Sequence, residues 1–120
     1  MVTVSELNSP NMPQWCPGCG DFGILIALKG ALAKVGAEPH ETVVVSGVGC
    51  GSKLPHYVRT YGFEGLHGRS LPPATGIHLA NDRLTVVAVG GDGDGVRNRH
   101  GALCARHEEE PELYLYSAGQ

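Results

Sequence analysis

The chain has 120 residues, with 9 Lys+Arg against 12 Asp+Glu for a formal net charge of −3, and four cysteines. That length has room for one domain, and a domain of this size buries roughly 60–70% of its unfolded surface, enough for a real core. The acidic balance argues against nucleic acid or an anionic membrane as a partner, and the apolar stretches are too short and too interrupted to span a bilayer.

Met1 to Pro13 shows little periodicity, carries Asn8-Ser9-Pro10, and is expected to be an irregular lead-in, mobile except near Trp15. It has no basic start and no apolar core, so no signal peptide is expected and the cytoplasm, where cysteines stay reduced, is the expected compartment. The lead-in runs into Trp15-Cys16-Pro17-Gly18-Cys19-Gly20, a tight turn framed by two cysteines. Cys-x-x-Cys alone serves zinc, iron–sulfur clusters and redox disulfides equally well. A thioredoxin-like pair is disfavoured, because this Cys-x-x-Cys precedes the first sheet strand instead of following one.

From Asp21, the residues Phe22, Leu25, Ile26, Leu28, Leu32 and Val35 recur at three- and four-residue steps and predict a helix packing that face on the core. Asp21 is expected to cap its start and Gly36, followed by Pro39, to end it. Thr42-Val43-Val44-Val45-Ser46 is short, apolar and β-branched, as in a strand buried on both faces of a parallel sheet. It empties into Gly47-Val48-Gly49, then Cys50 and Gly51, where glycines let backbone amides approach a bound group or a sulfur closely. A second helix is predicted from Pro73 to Ala80, with Asn81 near its end, and a second buried strand over Leu84 to Val89. That strand runs into Gly90-Gly91-Asp92-Gly93-Asp94-Gly95. Gly supplies 18 of the 120 residues, well above the usual ~7%, mostly in these runs. The pattern predicts an α/β fold with an open, mainly parallel sheet and a ligand site at its carboxyl edge.

Gly51-Ser52-Lys53-Leu54-Pro55-His56 and Gly65-Leu66-His67-Gly68-Arg69 read as loops rich in His, Lys and Arg, able to donate to a phosphate or to serve as plain surface. In the acidic glycine run, Asp92 and Asp94 fit a hard cation such as Mg²⁺ held between protein oxygens and a diphosphate. An EF-hand fails there, since Val96, Arg97 and Leu103 stand where an oxygen donor, Gly and Glu belong. A dinucleotide fingerprint fails as well, because Ser52 replaces the third spaced glycine. An acidic glycine turn with no ligand is the remaining reading.

Six blocks taken together resemble the β subunit of 2-oxoacid:ferredoxin oxidoreductases, in order and spacing, from about Gln14 to Gly95. They are Trp15 to Gly20, Ser46 to Cys50, Lys53-Leu54-Pro55-His56, Leu66-His67-Gly68-Arg69, Ala74-Thr75-Gly76 and Gly90 to Asp94. The resemblance implies the thiamine-diphosphate-binding fold and the oxidative decarboxylation of a 2-oxoacid, such as pyruvate or 2-oxoglutarate, to an acyl-CoA with ferredoxin as electron acceptor. It implies that Cys16, Cys19 and Cys50 ligate a [4Fe–4S] cluster, and that Val48, Gly49, Cys50, Gly51 and His67 line thiamine diphosphate. Asp92 would ligate Mg²⁺, with Gly93 and Asp94 beside the diphosphate. The implied partners are an α (or fused α/γ) subunit, which in this family carries the carboxylate that activates the coenzyme, together with ferredoxin, coenzyme A and the 2-oxoacid. The chain alone is therefore expected to be inactive.

The resemblance stops at Val96. Residues 1–95 are expected to form the N-terminal part of a thiamine-diphosphate-binding domain, and 96–120 a divergent tail, on a truncated β subunit whose fold is incomplete at the C-terminus. Cys104 lies in that tail and is not promoted to a cluster ligand, although a cluster takes four thiolates. The family's downstream Asn at the Mg²⁺ site has no counterpart. Read one base later, permitted codons for Gly95 to Gln120 can spell AYGIGMGHFVHAMKRNPNFTYIVLD, a helix-then-strand pattern, so a frameshift is the expected origin of the tail. The tail would then replace a flanking strand and leave a sheet edge exposed, predicting poor folding in isolation. Two other classes stay open. One is a structural zinc module using Cys16, Cys19 and Cys50 with Cys104 or a histidine; the other is an inactive remnant that binds no coenzyme.

Overall fold

The computed structural model describes residues 2–91 and the strand at 113–118. The acidic run Asp92, Gly93 and Asp94, and Cys104, lie outside the described residues.

Helix α1 spans Asp21–Val35 and ends as expected at Gly36, whose φ of 73° lets its amide and that of Ala37 turn back onto Ala33 and Leu32. Its start differs from expectation. Gly20 is the capping position, with no side-chain cap, while Asp21 is buried in the first turn. Leu25, Leu28 and Leu32 form the buried stripe, but Ile26 and Val35 are each 70% exposed. Ile26 projects about 100° away from Leu25, and the place beside Leu25 and Leu32 is taken by Lys29, whose ammonium donates to Asn8 Oδ1 at 2.9 Å.

Strands β1 (Thr42–Ser46), β2 (Tyr61–Glu64), β3 (Thr85–Gly91) and β4 (Leu113–Ala118) form one parallel sheet in the order β2-β1-β3-β4. Each residue of β1 is buried, because the sheet is covered on both faces. On one face Val44, Val87 and Val89 pack with Trp15, Leu25 and Leu54; on the other, Val43, Val45, Val86 and Ala88 pack with Leu71 and Ala74. Helices α1 and α2 (Leu54–Tyr57) thus lie on the first side and α3 (Leu71–Ala80) on the second. Helix α3 begins two residues before the predicted Pro73, with Pro72 and Pro73 in its first turn, where a missing N–H costs nothing.

Three further expectations are corrected. The segment from Gly51 to His56 is a 3₁₀ turn (Gly51–Lys53) running into α2, with Leu54 fully buried, and not a surface loop. The lead-in is irregular but tied down: Leu7 is fully buried, its carbonyl accepts Arg59 N–H at 2.9 Å, and Asn8 bridges Val58. The outer edge of β3, expected to be exposed, is paired along its length by β4, from Val86 opposite Leu113 to Gly91 opposite Ala118. Among the described residues no helix is long and apolar enough to cross a membrane.

Candidate functional site

The chain passes from β1 to β2 on one side, then to β3 on β1's other side. In an open parallel sheet, that reversal leaves a crevice outside the carboxyl ends of the two strands, and ligands bind there. Ser46 ends β1 in register with Val89 of β3 and Glu64 of β2, so the loops after all three strands open on one rim. The rim therefore carries Val48, Gly49, Cys50 and Gly51 after β1 and His67 after β2. β3 ends at Gly91, one residue before Asp92 in the sequence.

Each loop is shaped by its own backbone bonds. Cys19 N–H donates to Cys16 carbonyl at 3.0 Å, with Pro17 and then Gly18 at φ 79° between them, which is a type II turn that presents both cysteines at its ends. Gly49 has φ 130°, a conformation closed to ordinary side chains, and its carbonyl accepts both the backbone N–H and the hydroxyl of Ser52. Gly65 N–H donates to Ser46 carbonyl at 2.8 Å and Arg69 N–H to Leu66 carbonyl at 2.9 Å, which draws the His67 turn against the end of β1.

Trp15 joins the cysteine turn to this rim. Its indole stands edge-on to Phe22 (centroids 5.3 Å apart) and Tyr57 (4.9 Å), and its Nε1–H donates to Cys50 carbonyl at 2.8 Å. Cys16 and Cys50 are exposed, Cys19 is partly buried, and all three are free thiols. Cys19 Sγ donates to Asp21 Oδ2 at 3.4 Å, a neighbour that the sequence offered only as a helix cap.

Free thiols are the soft donors that iron–sulfur clusters and zinc both take. Among the described residues, no group of three or more His, Cys, Asp or Glu converges to hold a metal ion. A [4Fe–4S] cluster would take each thiolate on a different iron. A structural zinc centre, the alternative use of these cysteines, would need four donors around one point. Of the basic residues, His56 pairs with Glu64 at 3.2 Å on the surface and His67 is exposed at the rim, as is the apolar Val48.

The model of the family described as thiamine pyrophosphate enzyme, C-terminal TPP binding domain, matches residues 47–111, starting at the rim loop and continuing past Val96. The chain is 56% identical over 105 residues, 86% of its length, to 2-oxoacid:ferredoxin oxidoreductase 1, subunit beta, of Aeropyrum pernix, of which it covers 33%. It is 43% identical over 91 residues, 76% of its length, to the 2-oxoglutarate oxidoreductase subunit KorB of Mycobacterium tuberculosis, covering 24% of that protein. Among solved structures, it superposes with a TM-score of 0.94 and 34% identity on a 2-oxoglutarate:ferredoxin oxidoreductase from Magnetococcus marinus with 2-oxoglutarate, coenzyme A and succinyl-CoA bound. That match covers 99% of this chain and 41% of the other. The chain thus spans about a quarter to a third of the length of these curated relatives.

Proposed function

The chain belongs to the thiamine pyrophosphate enzyme family, C-terminal TPP binding domain, and from that membership we propose that it serves as β-subunit sequence of a 2-oxoacid:ferredoxin oxidoreductase. The reaction is the oxidative decarboxylation of a 2-oxoacid to an acyl-CoA, with electrons passed to ferredoxin. The observation that carries this reading is the Trp15–Cys50 hydrogen bond, which sets the Cys-x-x-Cys turn beside the loop at the sheet's switch point.

Cys16, Cys19 and Cys50 would hold the cluster. Val48, Gly49, Cys50, Gly51 and His67 would border thiamine diphosphate; Asp92 would hold Mg²⁺, with Gly93 and Asp94 beside the diphosphate. When bound, the coenzyme supplies the electron sink for loss of CO₂ and the cluster a one-electron acceptor next to it. The chain's own residues contribute position. Gly49 and its turn leave room for close backbone approach, while the indole of Trp15 fixes Cys50 and shields that side of the rim from water. The proposal includes a partner α subunit, coenzyme A as acyl acceptor and a cytoplasmic location. It also includes a boundary at Val96, with a frameshifted 96–120; resequencing the coding DNA overturns that part if its bases cannot spell the shifted peptide.

Anaerobic incubation with iron and sulfide, followed by calorimetric titration with thiamine diphosphate and Mg²⁺ with and without a family α subunit, tests the reading. A brown chromophore and Mg²⁺-dependent binding are expected. A colourless protein that retains zinc, or one that ignores the coenzyme under both conditions, would overturn it.

A further inference from the structure

Strand β1 carries two fully buried hydroxyls, one at each end. By the two-residue alternation of a strand, Thr42, Val44 and Ser46 point to the same face. Thr42 Oγ1 donates to Glu38 carbonyl at 2.8 Å and is accounted for. Ser46 Oγ has no hydrogen-bond partner among the described residues. Its backbone carbonyl, by contrast, is engaged by Gly65 N–H. Buried hydroxyls are nearly always paired, and a bare one inside a well-packed sheet calls for a ligand or a function.

Its position says which ligand. Ser46 is the last residue of β1, directly before the loop that leads to Cys50. Its face of the sheet is the one where Val44 packs with Trp15 and where Cys19 lies against the same core cluster. The opposite face, with α3, carries none of the three thiols. Trp15 in turn holds Cys50 carbonyl. The unpartnered O–H is thus on the cysteine side, at the cysteine end of the strand.

We propose that Ser46 is a positioning residue whose hydroxyl donates to a sulfur of the cluster held by Cys16, Cys19 and Cys50, and thereby sets that cluster's reduction potential. A donor to sulfur stabilises the more negative, reduced cluster and raises its potential. In the cluster-free chain the same hydroxyl has no protein partner, so it contributes nothing to stability there. This inference rests on the reading of the three cysteines as cluster ligands.

The test compares the full chain with Ser46→Ala and Thr42→Val, reconstituted anaerobically with iron, sulfide and a small thiol to fill the remaining coordination position. The expected outcome is that Ser46→Ala keeps the chromophore at a more negative midpoint potential and that its cluster-free Tm equals or exceeds wild type. Thr42→Val should keep the wild-type potential and lower the Tm. Identical potentials for wild type and Ser46→Ala would overturn the inference, as would a Tm drop in Ser46→Ala like that of Thr42→Val. A change in thiamine diphosphate affinity with no change in potential would also overturn it, by assigning the hydroxyl to the coenzyme. If wild type forms no chromophore, the cysteine reading itself fails and takes this inference with it.

Discussion

Trp15 and Cys50, 35 residues apart in sequence, are joined by an indole N–H to carbonyl bond of 2.8 Å, and through it the Cys-x-x-Cys turn meets the loop at the end of β1. Among the described residues the same carbonyl also accepts Lys53 N–H at 3.3 Å. Trp15→Phe removes the N–H donor while keeping an aromatic ring of smaller size at the site. The change should cost about 1 kcal/mol for the lost bond, plus a packing loss of at least comparable size, in urea denaturation. Iron bound per chain after reconstitution should fall as well. An unchanged iron content would show that the tether does not position Cys50.

Serine at each cysteine in turn distinguishes ligands from bystanders. Cys16→Ser, Cys19→Ser and Cys50→Ser should each abolish or strongly bleach the visible absorption of the reconstituted chain, since a hydroxyl is a poor replacement for a thiolate on iron. Cys104→Ser should leave it intact. Loss of colour in Cys104→Ser alone would reassign the site.

Gly49, with φ 130°, occupies backbone space from which a Cβ is nearly excluded. Gly49→Ala should therefore destabilise the chain by about 1–3 kcal/mol if the loop keeps its shape. Relaxation of the loop would spare stability and instead weaken thiamine diphosphate binding. A variant that matches wild type in both melting and titration would exclude this loop from the coenzyme site.

What could be read in advance depended on how strongly a pattern was enforced. The run from Thr42 to Ser46 is buried on both faces, so its composition alone gave away the strand. Tyr61–Glu64 carries no such mark: it is four residues long, sits at the sheet edge, and is exposed throughout, with Gly62 at its centre. Periodicity found α1 but overcounted its buried face, because Ile26 and Val35 satisfy a spacing rule that cannot say how wide the buried stripe is. Cys16, Cys19 and Cys50 stood out by residue type. The tether from Trp15 and the unpartnered Ser46 hydroxyl did not, since each depends on how distant segments meet, and the Asp21 carboxylate on Cys19, though only two residues away, depends on the turn that brings the two side chains together. Leu7 was missed for the same reason: one apolar residue in a polar lead-in has no period, yet it is fully buried.

Lys29 gives a pH dependence whose sign is fixed by its burial. It is 9% exposed on the inner side of α1, with Asn8 Oδ1 as acceptor, and burial holds its pKa below the ordinary lysine value. In the window between that lowered folded value and the unfolded value of about 10.4, the unfolded chain binds more protons than the folded one. Stability therefore rises with pH across the window, as the cost of burying a charged ammonium is relieved. Below the folded value both states are protonated and the full cost is present. Lys29→Met removes the charge while keeping an unbranched side chain of similar length, and Asn8, exposed at the surface, can turn its amide to water. The stability of wild type relative to Lys29→Met should accordingly be lowest at neutral pH and climb as pH approaches about 10. Urea denaturation of both chains across that range measures the difference directly, with the other alkaline titrations cancelling between them. A flat difference would mean that the Lys29 ammonium keeps enough water and enough of Asn8 to be charged at no cost.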